Sequence, residues 1–306
     1  ANVRMTEELM YRHWDHWEDE FASHIFIAGM NEKGLGKSID IMEGEPYETP
    51  LSPYFDQAEI SWNSDGSAIA YTCKKMSRTE YAQSTNSDIY LYTLSTGETV
   101  NLTEGMEGYD KYPVFSPDGS KMAWQSMATP GFEADKDRLM VMDLASKEIT
   151  YLTADIDQSV SSLAWSDDSK TIWFITGNHA TYQIGNMNLD SMVFNTVTTG
   201  IHDYTSFELH GNIMIASRMS MQRATELFRI DPFTGESKAI SDVNGNIYEN
   251  IAMGAVKERW VTTTDRKQML VWVIYPPGFD STKTYPTLLY CQGGPQSAVS
   301  QFFSYR

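Results

Sequence analysis

Three short stretches of the 306-residue sequence hold residue types that could do chemistry. The first is Arg12-His13-Trp14-Asp15-His16-Trp17-Glu18-Asp19-Glu20. On one helical turn His13 and His16 would meet beside an Asp or Glu, the beginning of a metal site, but no third neutral ligand is placed and no bound metal is expected. The plainer reading is a solvated acidic segment with two tryptophans packed beneath it. The second stretch, Tyr109-Asp110-Lys111-Tyr112, sets two rings around an opposed pair of charges. The third, Gln292-Gly293-Gly294-Pro295, follows the apolar run Tyr285-Pro286-Thr287-Leu288-Leu289-Tyr290-Cys291. A glycine pair at the carboxyl end of a strand is where open α/β sheets place ligand loops; otherwise it is a turn that closes the strand. A nucleophile elbow is missing: no Ser carries the flanking glycines of Gly-x-Ser-x-Gly, and the last histidine, His210, precedes the third stretch. Cys73 and Cys291 lie too far apart in the chain for a disulfide framework or a thiolate metal cluster.

The elements that must position these residues announce themselves by repetition. Ile60-Ser61-Trp62-Asn63-Ser64-Asp65-Gly66-Ser67 returns as Val114-Phe115-Ser116-Pro117-Asp118-Gly119-Ser120-Lys121 and again as Leu163-Ala164-Trp165-Ser166-Asp167-Asp168-Ser169-Lys170. Each copy reads as a strand, a tight turn that Asp-Gly accommodates through positive φ, and a second strand. A further strand pair follows, as in Asp88 to Thr93 and Glu98 to Leu102, so one period holds four strands. A weaker copy runs through Phe207-Glu208-Leu209, Ile213 to Ser217 and Glu226 to Ile230, with Gly211-Asn212 where Asp-Gly stood. A four-stranded antiparallel repeat of about 40 to 50 residues is the signature of a propeller blade. The alternative is a β-sandwich whose turns match by coincidence. The expected fold is all-β: a partial ring of propeller blades over residues 51–245, after an N-terminal segment and partial blade over 1–50 whose first 21 residues read as partly helical. Blade-entry residues such as Tyr109 to Tyr112 would either line a peptide path or, more commonly, pack between blades.

Composition narrows the partners. The 41 acidic against 23 basic residues give a net charge of −18, which repels phosphate backbones and anionic lipid surfaces and argues against nucleic acid and membrane as partners. No window is long and apolar enough for a membrane helix, and the charged first 20 residues do not form a secretory signal. The 17 methionines fall mostly on strand faces, as core fillers do.

After residue 245 the repeat stops. Arg259 to Thr263 and Met269 to Tyr275 read as two strands around an Asp265-Arg266-Lys267 turn, Pro276-Pro277-Gly278-Phe279-Asp280 interrupts, and the run at 285–291 has the unbroken apolarity of a strand buried on both faces. Residues 246–306 are thus expected to be a junction and the first strands of a truncated α/β-hydrolase domain. The blade phrases followed by Trp272-Val273-Ile274-Tyr275-Pro276-Pro277-Gly278-Phe279-Asp280, Tyr285-Pro286-Thr287-Leu288-Leu289 and Gln292-Gly293-Gly294-Pro295 resemble the propeller-to-hydrolase junction of the prolyl oligopeptidase family of serine peptidases, in particular its bacterial dipeptidyl-peptidase and acylaminoacyl-peptidase-like members.

That resemblance implies a cofactor-free hydrolase of short peptides, with the propeller gating access to a triad downstream of this chain; the 306 residues alone would then be inactive. It implies that Gln292, Gly293 and Gly294 help build the oxyanion hole, although family loops usually carry His or Tyr where Gln292 stands. It implies an anchor for the substrate's free amine, for which Glu18 and Glu20 are the candidates, since a carboxylate facing an ammonium fixes charge and register. The expected partners are a peptide substrate and the remainder of the hydrolase domain or a second chain. Resemblance favours a periplasmic or secreted location. The rival reading is a non-catalytic propeller that binds peptide or saccharide, with the tail closing the ring; a propeller glycosidase would need an acid and base pair that the sequence does not single out.

Overall fold

The computed structural model describes residues 3, 5–7, 9–17, 21–291 and 297–304. The chain divides into two compact units, Ala1–Asp157 and Gln158–Arg306. Each holds two four-stranded antiparallel sheets with consecutive strands as neighbours. Blade one is Ile60–Trp62, Ala68–Cys73, Asp88–Thr93 and Glu98–Asn101; blade two is Asp110–Phe115, Lys121–Ser126, Arg138–Asp143 and Ile149–Tyr151. Blade three is Val160–Trp165, Thr171–Asn178, Thr181–Asn188 and Phe194–Thr196; blade four is Asp203–His210, Ile213–Ser220, Arg223–Ile230 and Ser237–Ala239.

The repeated phrase folds the same way each time. Trp62, Phe115 and Trp165 each end the first strand of their blade and pair with Ile69, Met122 and Ile172 at an identical offset. Phe115 and Trp165 are buried, whereas Trp62 in the same register is 51% exposed. The turn between them explains the conserved spelling within this chain. Ser116 Oγ donates to Asp118 Oδ1 (2.6 Å), which also takes the Ser120 N–H (2.9 Å), and Gly119 sits at φ 70. Ser166 and Asp168 repeat the arrangement in blade three, with Ser169 at φ 59 where glycine stood. The bonds from Ser116 and the turn amides hold the Asp118 carboxyl down at about 2. Blade four dispenses with this turn: His210 pairs directly with Ile213, and Gly211 takes φ 56 in a two-residue hairpin.

Burial follows the pleat. Every residue of Ala68–Cys73 is buried, because both faces of this strand are covered. Ala70 and Ile89 pack with Trp124, Met122, Met140 and Met142 of blade two, while Tyr71, Cys73, Tyr90 and Tyr92 pack with Ile25, Ile41 and Met42 of the preceding segment. In the second unit Trp173, Ile175 and Ile184 of blade three meet Tyr204, Phe207 and Met214 of blade four. Methionines serve here as core fillers.

Two local expectations are corrected. The N-terminal segment is not helical at residues 12–17: Arg12–His13 and His16–Trp17 form a hairpin with Trp14 at φ 50 in its turn. The run at 285–291 is not a strand. Val256–Thr262 and Gln268–Ile274 do pair as the junction hairpin, but no third strand joins them among the described residues, and Leu288, Leu289 and Tyr290 stand at least 75% exposed. Apolarity makes a segment fit to be a buried strand, but it supplies no neighbour to take its backbone hydrogen bonds.

Candidate functional site

Blades one and two differ from three and four in one respect that matters for function. Their second and third strands are joined by residues 74–87 and 127–137, against 179–180 and 221–222 in the other two. Long connections above a rigid blade are where binding groups are carried. The two long connections touch through the Gly131 N–H, which donates to Thr85 Oγ1 at 3.0 Å.

The first of them forms one wall of a cavity of about 850 Å³ in the first unit. Helix α1 (Arg78–Gln83) lies in that wall. Lys74 ties it down: its Nζ donates to the Tyr81 carbonyl (2.6 Å) and to the Ser84 carbonyl at the helix end, with the Tyr81 ring 3.9 Å away. Burial pushes the Lys74 amine down to about 8. Arg78 opens the helix at φ 57, a left-handed conformation that a residue with a Cβ rarely holds. The opposite walls come from the N-terminal segment and from residues 45–51: Met5, Leu9, Trp17, Phe21 and Tyr47 supply rings and thioether surface. Charge enters through Glu45 and Glu48. Glu45 is matched by Lys75 at 2.6 Å, and Lys75 in turn lies 4.5 Å from the Tyr90 ring. His24 is braced from both sides, Nδ1 against Asp40 Oδ2 at 2.8 Å and Nε2 against the Glu45 carbonyl at 3.0 Å. The cavity can therefore hold a short polar chain between aromatic walls, with side chains of both signs at its rim.

The Tyr109 to Tyr112 stretch belongs to the interior. Asp110 is fully buried and accepts the Trp124 Nε1–H at 2.8 Å; Lys111 pairs with Asp137 at 3.1 Å and lies 4.5 Å from the Tyr109 ring. Burial pushes Asp110 up to about 7, and does the same to Glu59, whose carboxylate takes the Leu51 N–H at 2.6 Å. This is the packing fate, not a peptide path.

Gln292, Gly293, Gly294, Glu18 and Glu20 lie outside the described residues. Trp17 and Phe21, the described neighbours of the two glutamates in sequence, both line the cavity. His13 and His16 face each other across the hairpin, and no group of three metal-ligating side chains occurs among the described residues. Sequence reasoning missed the cavity, although the 14 residues between Cys73 and Asp88, against two in the last two blades, were a readable sign of it.

Comparison with known proteins places this architecture. The model of the TolB beta propeller domain matches residues 57–271. Over its whole length the chain is 43% identical to dipeptidyl-peptidase 5 of Porphyromonas gingivalis, of which it covers 45%. It is 44% identical over 99% of its length to dipeptidyl-peptidase 5 of Porphyromonas endodontalis, covering 44% of that protein. The chain thus spans about half the length of the curated relatives it matches. An acylaminoacyl peptidase of Pyrococcus horikoshii shares the fold at TM-score 0.65 and 18% identity, over 89% of this chain and 39% of its own. An acylaminoacyl peptidase in complex with Z-Gly-Gly-Phe-chloromethyl ketone does so at 0.67 and 17%, over 96% and 44%. Four blades in common register and a junction hairpin that follows them in the chain lead to one conclusion, which the family match over residues 57–271 carries: the chain belongs to the TolB beta propeller domain family.

Proposed function

We propose that this region gates and selects short peptides for a serine exopeptidase that releases dipeptides or aminoacyl groups, with the nucleophile, Asp and His downstream of residue 306. The observation that carries the reading is the likeness to two dipeptidyl-peptidases over at least 99% of the chain, propeller and junction together; a propeller shared only as a scaffold would match in its blades and diverge after residue 245. In this reading the cavity of the first unit receives the amino-terminal end of the peptide. Glu18 and Glu20 offer the carboxylate for its ammonium, and the backbone N–H groups of Gly293 and Gly294, with the Gln292 amide, stabilise the developing alkoxide. No cofactor takes part.

The test is hydrolysis of dipeptidyl chromogenic substrates by the full-length gene product. Turnover abolished by a fluorophosphonate is expected. Replacing Glu18 and Glu20 together by Gln should raise KM about tenfold or more for substrates with a free amine, the loss of a charge-assisted bond, and leave N-acylated ones unaffected. A gene product that binds peptide without turning it over would replace this reading with that of a non-catalytic binding propeller.

A further inference from the structure

The segment 297–304 has no regular secondary structure, yet Ser300 and Gln301 are 5% and 1% exposed. Irregular backbone is usually kept at the surface because its polar groups need partners. Here the partners come from two directions. On one side Val299 O accepts the Trp272 Nε1–H of the junction hairpin at 3.0 Å. On the other, blade four supplies the Met221 N–H to Gln301 Oε1 (3.5 Å) and Met219 Sδ to the Phe303 N–H (3.5 Å). At the centre stands Asp203, 1% exposed, the first residue of blade four.

Asp203 Oδ1 accepts the Tyr182 N–H from blade three at 2.9 Å. The Ser300 hydroxyl and the Gln301 backbone N–H also favour its charged form. Its Oδ2 has no fully formed hydrogen bond among the described residues, and neither has Gln301 Nε2, so an unmet acceptor and an unmet donor are buried on residues already in contact. The same position in blade two offers a comparison. Asp110 opens blade two at the same position, opposite Ser126 as Asp203 is opposite Met219. Asp110 is held within its own blade by Trp124 and Ser126, although its Oδ2 is unpartnered too, whereas in blade four Met219 stands opposite Asp203, Ser217 stands where Trp124 would, and the carboxylate meets Ser300 and Gln301 of the distant segment. A buried carboxylate is costly unless its partners hold it, and partners held in this way are fixed in return.

We propose that Asp203 is a positioning residue, through which blade four fixes Ser300 and Gln301 and thereby the backbone that follows residues 292–295 in the chain. The inference rests on the reading of Gln292, Gly293 and Gly294 as oxyanion donors: a propeller that grips the chain a few residues beyond them sets where they stand during the reaction, and does so without touching substrate.

The experiment uses the full-length gene product, with Asp203→Ala, Asp203→Asn and Ser300→Ala. Two readouts are taken: kcat and KM on a dipeptidyl substrate, and hydrogen exchange at the amides of Gln301 and Phe303 against those of Ile184 and Ile230. Asp203→Ala should lower kcat about tenfold or more with KM within about twofold, because a transition-state contact is displaced while binding is spared. Exchange at Gln301 and Phe303 should rise about tenfold or more with the blade amides unchanged. Asp203→Asn keeps an acceptor for Tyr182 and should fall between, and it carries the test if the alanine variant does not fold. Unchanged exchange at Gln301 and Phe303, or raised exchange with kcat within twofold of the parent, overturns the proposal. A parent protein that does not hydrolyse dipeptidyl substrates sinks the peptidase reading instead, and exchange alone then decides whether Asp203 holds the segment.

Discussion

Asp110 gives the sharpest quantitative test of the first unit. Its carboxyl is fully buried against Trp124 and is pushed from 3.8 to about 7 by burial, which its bonds to Ser126 and Trp124 only partly offset. The folded protein therefore keeps a proton that the unfolded chain releases between pH 3.8 and about 7, so stability falls as pH rises through that window. Between pH 5 and 8 the affected span is about two pH units, at about 1.4 kcal/mol each, so Asp110 alone removes up to about 3 kcal/mol. Glu59, pushed from 4.5 to about 7, has the same sign. Asp110→Asn keeps an oxygen for the Trp124 N–H and cannot ionise. Guanidinium unfolding followed by tryptophan fluorescence should show the variant close to the parent at pH 5 and more stable by about 1.5–3 kcal/mol at pH 8, with an unchanged denaturant slope. An equal loss of stability from pH 5 to 8 in both proteins would mean that Asp110 is already ionised at pH 5, and the account of its burial would be wrong.

Lys74→Ala should free helix α1, raising hydrogen exchange at the Ser84 amide about tenfold or more while Ile89 stays protected; equal protection would show that Lys74 does not hold the cavity wall. Ala180 takes φ 54 in the two-residue turn of blade three, so Ala180→Gly should stabilise by about 1 kcal/mol in thermal unfolding. Gly235→Ala would place a Cβ 1.9 Å from the Val197 carbonyl oxygen at φ 72 and should cost about 3 kcal/mol or more. Gly66→Ala has a similar φ of 71 with nothing within 4 Å, and should cost only about 1 kcal/mol. Chemical denaturation of the pair checks whether the clash or the backbone conformation decides.

The blades were legible because the chemistry of each turn is spelled locally. A serine, an aspartate and a residue tolerant of positive φ fix the register of two strands, and the register fixes which residues face the core. Even the fourth copy could be read after its Asp-Gly was lost, because Gly211 still allows the turn. The spacing of His13 and His16 was ambiguous for a physical reason: positions three apart meet both on a helical turn and across a two-residue hairpin, and Trp14 at φ 50 settles it for the hairpin. Of the cavity only the long connection after Cys73 was legible, since the other walls come from segments around residues 5–22 and 45–51 that share no period with it. The brace of His24 between Asp40 and the Glu45 carbonyl spans up to 21 positions and has no local signature.

The repeat also explains how function can be distributed over near-identical blades. The four strands of a blade are constrained by packing on both faces, as the full burial of Ala68–Cys73 illustrates, whereas the connection between its second and third strands differs in length from blade to blade. In blades one and two it has grown into the cavity wall and its neighbour; in blades three and four it has shrunk to two residues. The first residue of the first strand is free in a different way. Its side chain is buried in both blades, yet Asp110 bonds within blade two and Asp203 reaches the segment beyond the junction. The long connections and the segment beyond the junction are thus engaged by different blades of one repeat, the connections by blades one and two and the segment by blade four, through positions whose side chains do not set the strand register.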